Sequence, residues 1–267
     1  MHRSGTSALG GALQALGLSV GKTVMPPSQE MGNPRGYYEN LALVNVHDQF
    51  LSQIRRLWLN PRPIRPHRFL GSIPRRCRQE LLQTLIQEFG SSRPLIKDPR
   101  LCELLPLWRP LIKKYFPQAA FILPIRAPME VASSLRKRDN ISLHHGLSLW
   151  TLHVLESERG SRGFRRFFTT YEKLLLSPLD TVAGLARDLG LPTEGVAAAV
   201  ENQIDPSLRH HAEIPWPEDE PHRDLVLSVY QTVIGNGPDF EAKMDRLRRQ
   251  YFRARKFRWW RKYPRGD

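Results

Sequence analysis

Three short apolar runs, at Pro94 to Lys97, Ala119 to Ile125 and Phe164 to Thr169, are separated by segments with helical spacing. This alternation constrains the fold most. Strands that read as continuous apolar runs are buried on both faces, and helices between them supply the cover, so the pattern is that of a parallel sheet. The fold class that follows is α/β, a parallel β-sheet flanked by helices. At 267 residues the chain suits one such domain.

Helices are expected from Ala8 to Leu18, from Leu41 to Leu57 and along the stripe Leu81, Leu82, Leu85, Ile86 and Phe89. Further helices are expected from Pro128 to Asp139, Ser142 to Arg159, Leu179 to Leu189 and Arg223 to Ile234, the first with proline at its first position. Phe240, Met244, Leu247 and Tyr251 form the apolar stripe of a last helix. The proline-rich, basic stretch from Asn60 to Pro74 is expected to be the longest loop. The organisation that results is a domain over residues 1–252 and a basic, aromatic tail over 253–267.

The net charge of +14 would suggest a polyanionic partner, but most of it is local. Eleven Lys and Arg stand against one acid between Lys243 and Arg265, leaving 29 bases and 25 acids elsewhere. No specific nucleic-acid partner is therefore expected of the domain. The tail mixes Arg and Lys with Phe257, Trp259, Trp260 and Tyr263, which suits an anionic membrane surface, a polyanionic acceptor or a solvated end. No stretch reaches the length of a membrane span and the chain opens without a secretory signal, so a cytoplasmic protein, with peripheral attachment at a membrane as an option, is expected. Cys77 and Cys102 lack metal or redox spacing and are expected to be packing residues in a reducing compartment.

Chemistry is concentrated in a few segments. His2-Arg3-Ser4-Gly5-Thr6-Ser7 combines a glycine, hydroxyls and a cation directly before a helix, which is what an anion-binding turn needs, although the same residues also make ordinary turns and caps. The run Ile122 to Arg126 delivers a guanidinium at a strand end, and the helix from Pro128 carries Ser134 eight residues on. Across a strand-to-helix turn, Arg126 and Ser134 can converge on one phosphate.

These two motifs, in this order, resemble the donor loops of the sulfotransferases that use 3'-phosphoadenosine 5'-phosphosulfate. Asn33 to Glu39, Lys97-Asp-Pro-Arg100, Tyr171-Glu-Lys-Leu-Leu and Asp205 to Arg209 resemble further segments of bacterial members, so the resemblance spans about residues 1–211. It implies a P-loop NTPase-like sulfotransferase core. It further implies that Arg3, Ser4, Gly5, Thr6 and Ser7 grip the 5'-phosphosulfate, that Arg126 and Ser134 hold the 3'-phosphate, and that Tyr171 meets the adenine. A buried strand ending in glycine precedes the loop in that family and is not in this sequence, so a truncated first strand is expected. Arg3 stands where the small-molecule enzymes carry lysine, a choice shared with carbohydrate and protein-tyrosine sulfotransferases. The acceptor implied is a hydroxyl of a carbohydrate or glycolipid.

Sulfuryl transfer needs in-line positioning, charge stabilisation and a base. Arg3 is the candidate for leaving-group charge. Glu39 is the candidate base, with a helix-start acid as the competing reading. His47 is the second choice, though a packed histidine suits its helical setting better. Lys97, expected at a strand's carboxyl end, is either a catalytic cation or half of an ion pair with Asp98 or another acid. Arg209 is a further candidate phosphate contact.

Gly17-Leu-Ser-Val-Gly21-Lys22-Thr23 imitates a Walker A motif, but only three residues separate the glycines where four are needed. It reads as a helix end and turn. His144-His145 and His210-His211 point apart and no carboxylates join them, so no metal is expected. The rival readings are a non-catalytic nucleotide- or polyanion-binding module and a P-loop kinase.

Overall fold

The computed structural model describes residues 1–28, 36–204 and 214–254. Among them the chain is α/β, with a two-stranded parallel sheet flanked by helices. β1 (Ala120–Ile125) pairs with β2 (Arg165–Thr170) in a register running from Ala120 opposite Arg165 to Ile125 opposite Thr170. Parallel pairing requires a crossover. α5 (Pro128–Asp139) and α6 (Leu143–Ser161) supply it, with Gly146 of α6 so close to Ala132 that an added Cβ would lie 2.9 Å from its Cα.

α5 begins and ends where local chemistry dictates. Pro128 takes the first turn, where no intrahelical N–H is needed, and Asn140 ends the helix in the left-handed conformation. Ser142 starts α6 by accepting from the His145 N–H. α1 (Thr6–Ala15), α2 (Leu41–Gln53), α3 (Ser72–Phe89), α7 (Tyr171–Leu176), α8 (Pro178–Leu189), α9 (Val196–Gln203), α10 (Arg223–Gly235) and α11 (Phe240–Ala254) complete the helices outside α4. The basic loop after α2 contains a short 3-10 turn at Pro66–Phe69 and gives way to α3 at Ser72, so Pro74 lies inside the helix. α11 runs past residue 252 to Ala254 and buries Phe240, Met244, Leu247 and Tyr251, the expected stripe.

α4 (Leu101–Tyr115), with Cys102 in its first turn, is a full helix although Pro106 and Pro110 each remove an internal hydrogen bond. Leu104, Leu105, Leu107, Trp108 and Leu111 are buried along it, and that burial outweighs the two lost bonds. Pro94 to Lys97 is not a strand of the sheet. Ser19 and Pro94 make an isolated parallel bridge, in which Ser19 N–H donates to Arg93 O (2.9 Å) and Leu95 N–H to Ser19 O (2.6 Å). A cavity of about 630 Å³, lined by Leu13, Ile96, Phe121, Leu123 and Trp150, lies between this segment and β1. Backbones must approach to roughly 4.8 Å to form a ladder, and across the cavity these two do not.

No described helix is long and apolar enough to cross a membrane. Residues 255–267 of the tail, Arg209 and His210-His211 lie outside the described residues.

Candidate functional site

The turn before α1 is held in an uncommon shape. Gly5 has φ +78° and a Cβ there would stand 2.6 Å from Tyr171 Cδ2, so both conformation and space demand glycine. Arg3 also has positive φ, at 61°, which for a long side chain is a strained conformation of the kind that persists where neighbours enforce it. The neighbours are identifiable. Arg3 Nε donates to Ser134 Oγ (2.7 Å), and Arg126 Nη1 donates to Arg3 O (3.1 Å).

Arg3 thus bridges Arg126 and Ser134, the pair eight residues apart in sequence. Arg126 lies just past β1; its Nε is paired with Glu130 (2.7 Å), one turn along α5, and its guanidinium sits 4.2 Å above the Tyr171 ring. Trp150 Nε1 donates to Arg126 O (3.0 Å) and fixes the backbone. Among the described residues the second terminal nitrogen of Arg126 has no protein partner. Burial, then the charges of Arg138 and Arg126, lowers the pKa of Arg3.

Other members of the loop divide. Thr6 and Ser7 open α1, where backbone N–H groups are free for an anion. Ser4 is 1% exposed and its hydroxyl turns to His2 O (3.4 Å), so its side chain serves the turn's own shape. Tyr171 directly follows β2. It is the first residue of α7, because Thr170 caps that helix by accepting from Lys173 N–H.

The opposite wall is built from buried charge. Lys97 Nζ donates to Glu39 Oε1 (2.7 Å), Tyr37 O (2.8 Å) and Ser7 Oγ (3.1 Å). Three acceptors for three ammonium protons is the arrangement of a charged lysine. Burial lowers the Lys97 pKa and raises that of Glu39, while each partner's charge opposes the change in the other. Glu39 precedes Asn40, whose side chain caps α2, and its carboxylate faces Lys97 instead of serving the helix start.

Asp98 and His47 lie behind this pair. Trp108 Nε1 can only donate, so His47 Nε2 accepts from it (2.8 Å) and Nδ1–H donates to Asp98 Oδ2 (2.7 Å). Both His47 nitrogens are therefore engaged and the residue is fully buried, which removes it as a base. Burial alone would raise the Asp98 pKa, but His47 and Arg100 overcome it and hold the carboxyl at about 2. Arg100 also grips Asp48 through Nε (2.6 Å) and Nη2 (3.1 Å). Lys97 accordingly projects from a pinned Lys-Asp-Pro-Arg segment, and its ion-pair partner is Glu39.

Arg138 went unnoticed in the sequence, although it lies one turn beyond Ser134 on the same face of α5. Its charge reaches Arg3 and Lys97. The Walker-like turn is satisfied internally, since the Glu88 carboxylate accepts from Lys22 N–H (2.9 Å), Thr23 N–H (2.7 Å) and Thr23 Oγ1 (2.9 Å). His144 pairs with Glu220 (2.6 Å) and His145 with Leu59 O (2.6 Å); no metal-holding cluster occurs among the described residues.

Comparison with protein-family models, with curated proteins and with solved structures found no match for this chain.

Proposed function

We propose that the protein is a sulfotransferase, with a P-loop-like core, that moves a sulfuryl group from 3'-phosphoadenosine 5'-phosphosulfate to a hydroxyl of a carbohydrate or glycolipid. The observation that carries the reading is the junction of Arg3, Ser134 and Arg126 over Tyr171, facing Lys97 and Glu39 across α1. Cations and hydroxyls from three remote segments meet at one glycine turn, which suits a doubly anionic nucleotide.

The fit is chemical. Gly5, with its left-handed backbone packed against Tyr171, sets the turn that opens α1 and leaves the helix N-terminus to an anion. Arg126 and Ser134 take the 3'-phosphate, with the guanidinium held flat on Tyr171 beside the adenine. Arg3 and the N–H groups of Thr6 and Ser7 hold the 5' end, and Arg3 offsets charge developing on the leaving phosphate. Lys97, linked to Ser7, neutralises the transferring group. Glu39 then accepts the acceptor's hydroxyl proton; the carboxylate is buried with a raised pKa, which makes it a stronger base than an exposed one. No metal takes part in this scheme.

Calorimetric titration with adenosine 3',5'-bisphosphate tests the reading. The wild-type protein binds it, and Arg126→Ala weakens binding by about 1.5–3 kcal/mol, the range for a lost hydrogen bond to a charged group. Absence of binding by the folded wild-type chain rejects the proposal, and unchanged affinity in the variant rejects the 3'-phosphate assignment.

A further inference from the structure

Arg138, Trp58 and His2 form a cluster that the transfer chemistry does not use. The Arg138 guanidinium lies 5.7 Å from the Trp58 ring centroid, and the His2 ring packs 4.3 Å from the same ring. Trp58 is kept in place by its neighbour, since His145 of α6 bonds to Leu59 O (2.6 Å). His2 Nε2 is buried without a hydrogen-bond partner. A buried polar atom lacking a partner calls for one, and here it sits beside an aromatic face and a cation.

Arg138 also displays the chemistry it prefers. Its Nε and Nη2 hold both carboxylate oxygens of Asp139 at 2.8 to 3.0 Å, a two-pronged match of planar groups. Adjacent helix residues do not face one another. This pair forms at the last turn of α5, where the chain reverses at Asn140, and both side chains remain partly exposed at 13% and 16%. An incoming carboxylate can therefore replace Asp139 on the fork without unpacking the core.

This cluster adjoins the nucleotide side, one turn beyond Ser134 on α5, and its charge reaches Arg3. Arg126 stacks on Tyr171, whereas Arg138 stacks on Trp58, and the charge of Arg138 is felt at Lys97. We propose that Arg138 and Trp58, with His2, form an acceptor subsite for a sugar bearing a carboxylate. The guanidinium takes the carboxylate, the indole face covers the apolar face of the ring, and His2 Nε2 gains a sugar hydroxyl. This assignment rests on the sulfuryl-transfer reading and names its substrate class: an acidic saccharide.

The test uses the full chain and a tetrasaccharide of alternating glucuronate and N-acetylglucosamine, compared with its carboxyl-reduced neutral form, by calorimetry with and without adenosine 3',5'-bisphosphate. The wild type binds the acidic form at least tenfold more tightly than the neutral one. Arg138→Gln abolishes that preference and lowers acidic-sugar affinity by a much larger factor than bisphosphate affinity. Arg138→Lys retains charge but loses the fork, and lowers acidic-sugar affinity several-fold; it carries the same test if the Gln variant does not fold. Equal binding of both sugars, no binding of the acidic one, or parallel loss of bisphosphate affinity overturns the subsite. An Arg138-dependent preference in a protein that ignores the bisphosphate keeps the subsite and rejects the sulfuryl-transfer reading instead.

Discussion

The two walls of the site hold their charges in opposite ways. On the Arg3 and Arg126 side, the guanidiniums meet a hydroxyl, a backbone carbonyl, an aromatic face and one carboxylate, that of Glu130. On the Lys97 side every strong donor is matched, from Lys97 to Glu39 and from Trp108 through His47 to Asp98. Contacts that are largely neutral position a cation without cancelling its charge. Charged partners position a group and fix its protonation. The first wall is suited to binding, and the second to a reaction in which a proton must move at a set place.

Breaking the closed wall gives the largest effect. Asp98→Ala leaves the His47 Nδ1–H and Arg100 without their buried acceptor and costs about 3–5 kcal/mol, read from urea unfolding. The sign with pH follows from the depressed value. The Asp98 carboxyl is held at about 2 in the folded chain against an ordinary 3.8, so its stabilisation is present above 3.8 and is lost as pH falls toward 2. Acid unfolding of the variant lacks that contribution. A stability unchanged in Asp98→Ala would mean that the two walls do not differ as described.

Removing the proposed base comes next. Glu39→Gln lowers turnover roughly a hundredfold or more in a labelled-sulfate transfer assay while nucleotide affinity is retained. Equal loss of affinity would place Glu39 in the open wall's work. The smallest effect belongs to the turn itself. Gly5→Ala strains a backbone at φ +78° and presses on Tyr171, reducing adenosine bisphosphate affinity about tenfold, or about 1.4 kcal/mol. The same strain lowers stability by about 1–3 kcal/mol, less than the loss of Asp98. Affinity equal to wild type would show that the turn does not approach the nucleotide.

Local signals were legible wherever the physics is local. α5 was readable to its ends because Pro128 and Asn140 act within a few residues of their own positions, and α11 because its stripe faces one core. In α4, sequence shows the N–H groups missing at Pro106 and Pro110 but not the apolar neighbours that offset them. Pro94 to Lys97 read as a strand by composition, yet pairing depends on how far away the next backbone lies.

The site divides along the same line. The glycine turn, Arg126 and Ser134 could be singled out from residue type and spacing alone, because a glycine turn before a helix and a cation at a strand end are short-range signals. Tertiary structure decided that Arg3 bridges them across 131 and 123 residues, that Lys97 pairs with Glu39 across 58, and that His47 is locked by Trp108 and Asp98. It also brought Arg138 to Trp58. The reason is physical: propensity, capping and backbone freedom act along the chain, whereas the partner of a buried charge is chosen by which distant segment packs against it.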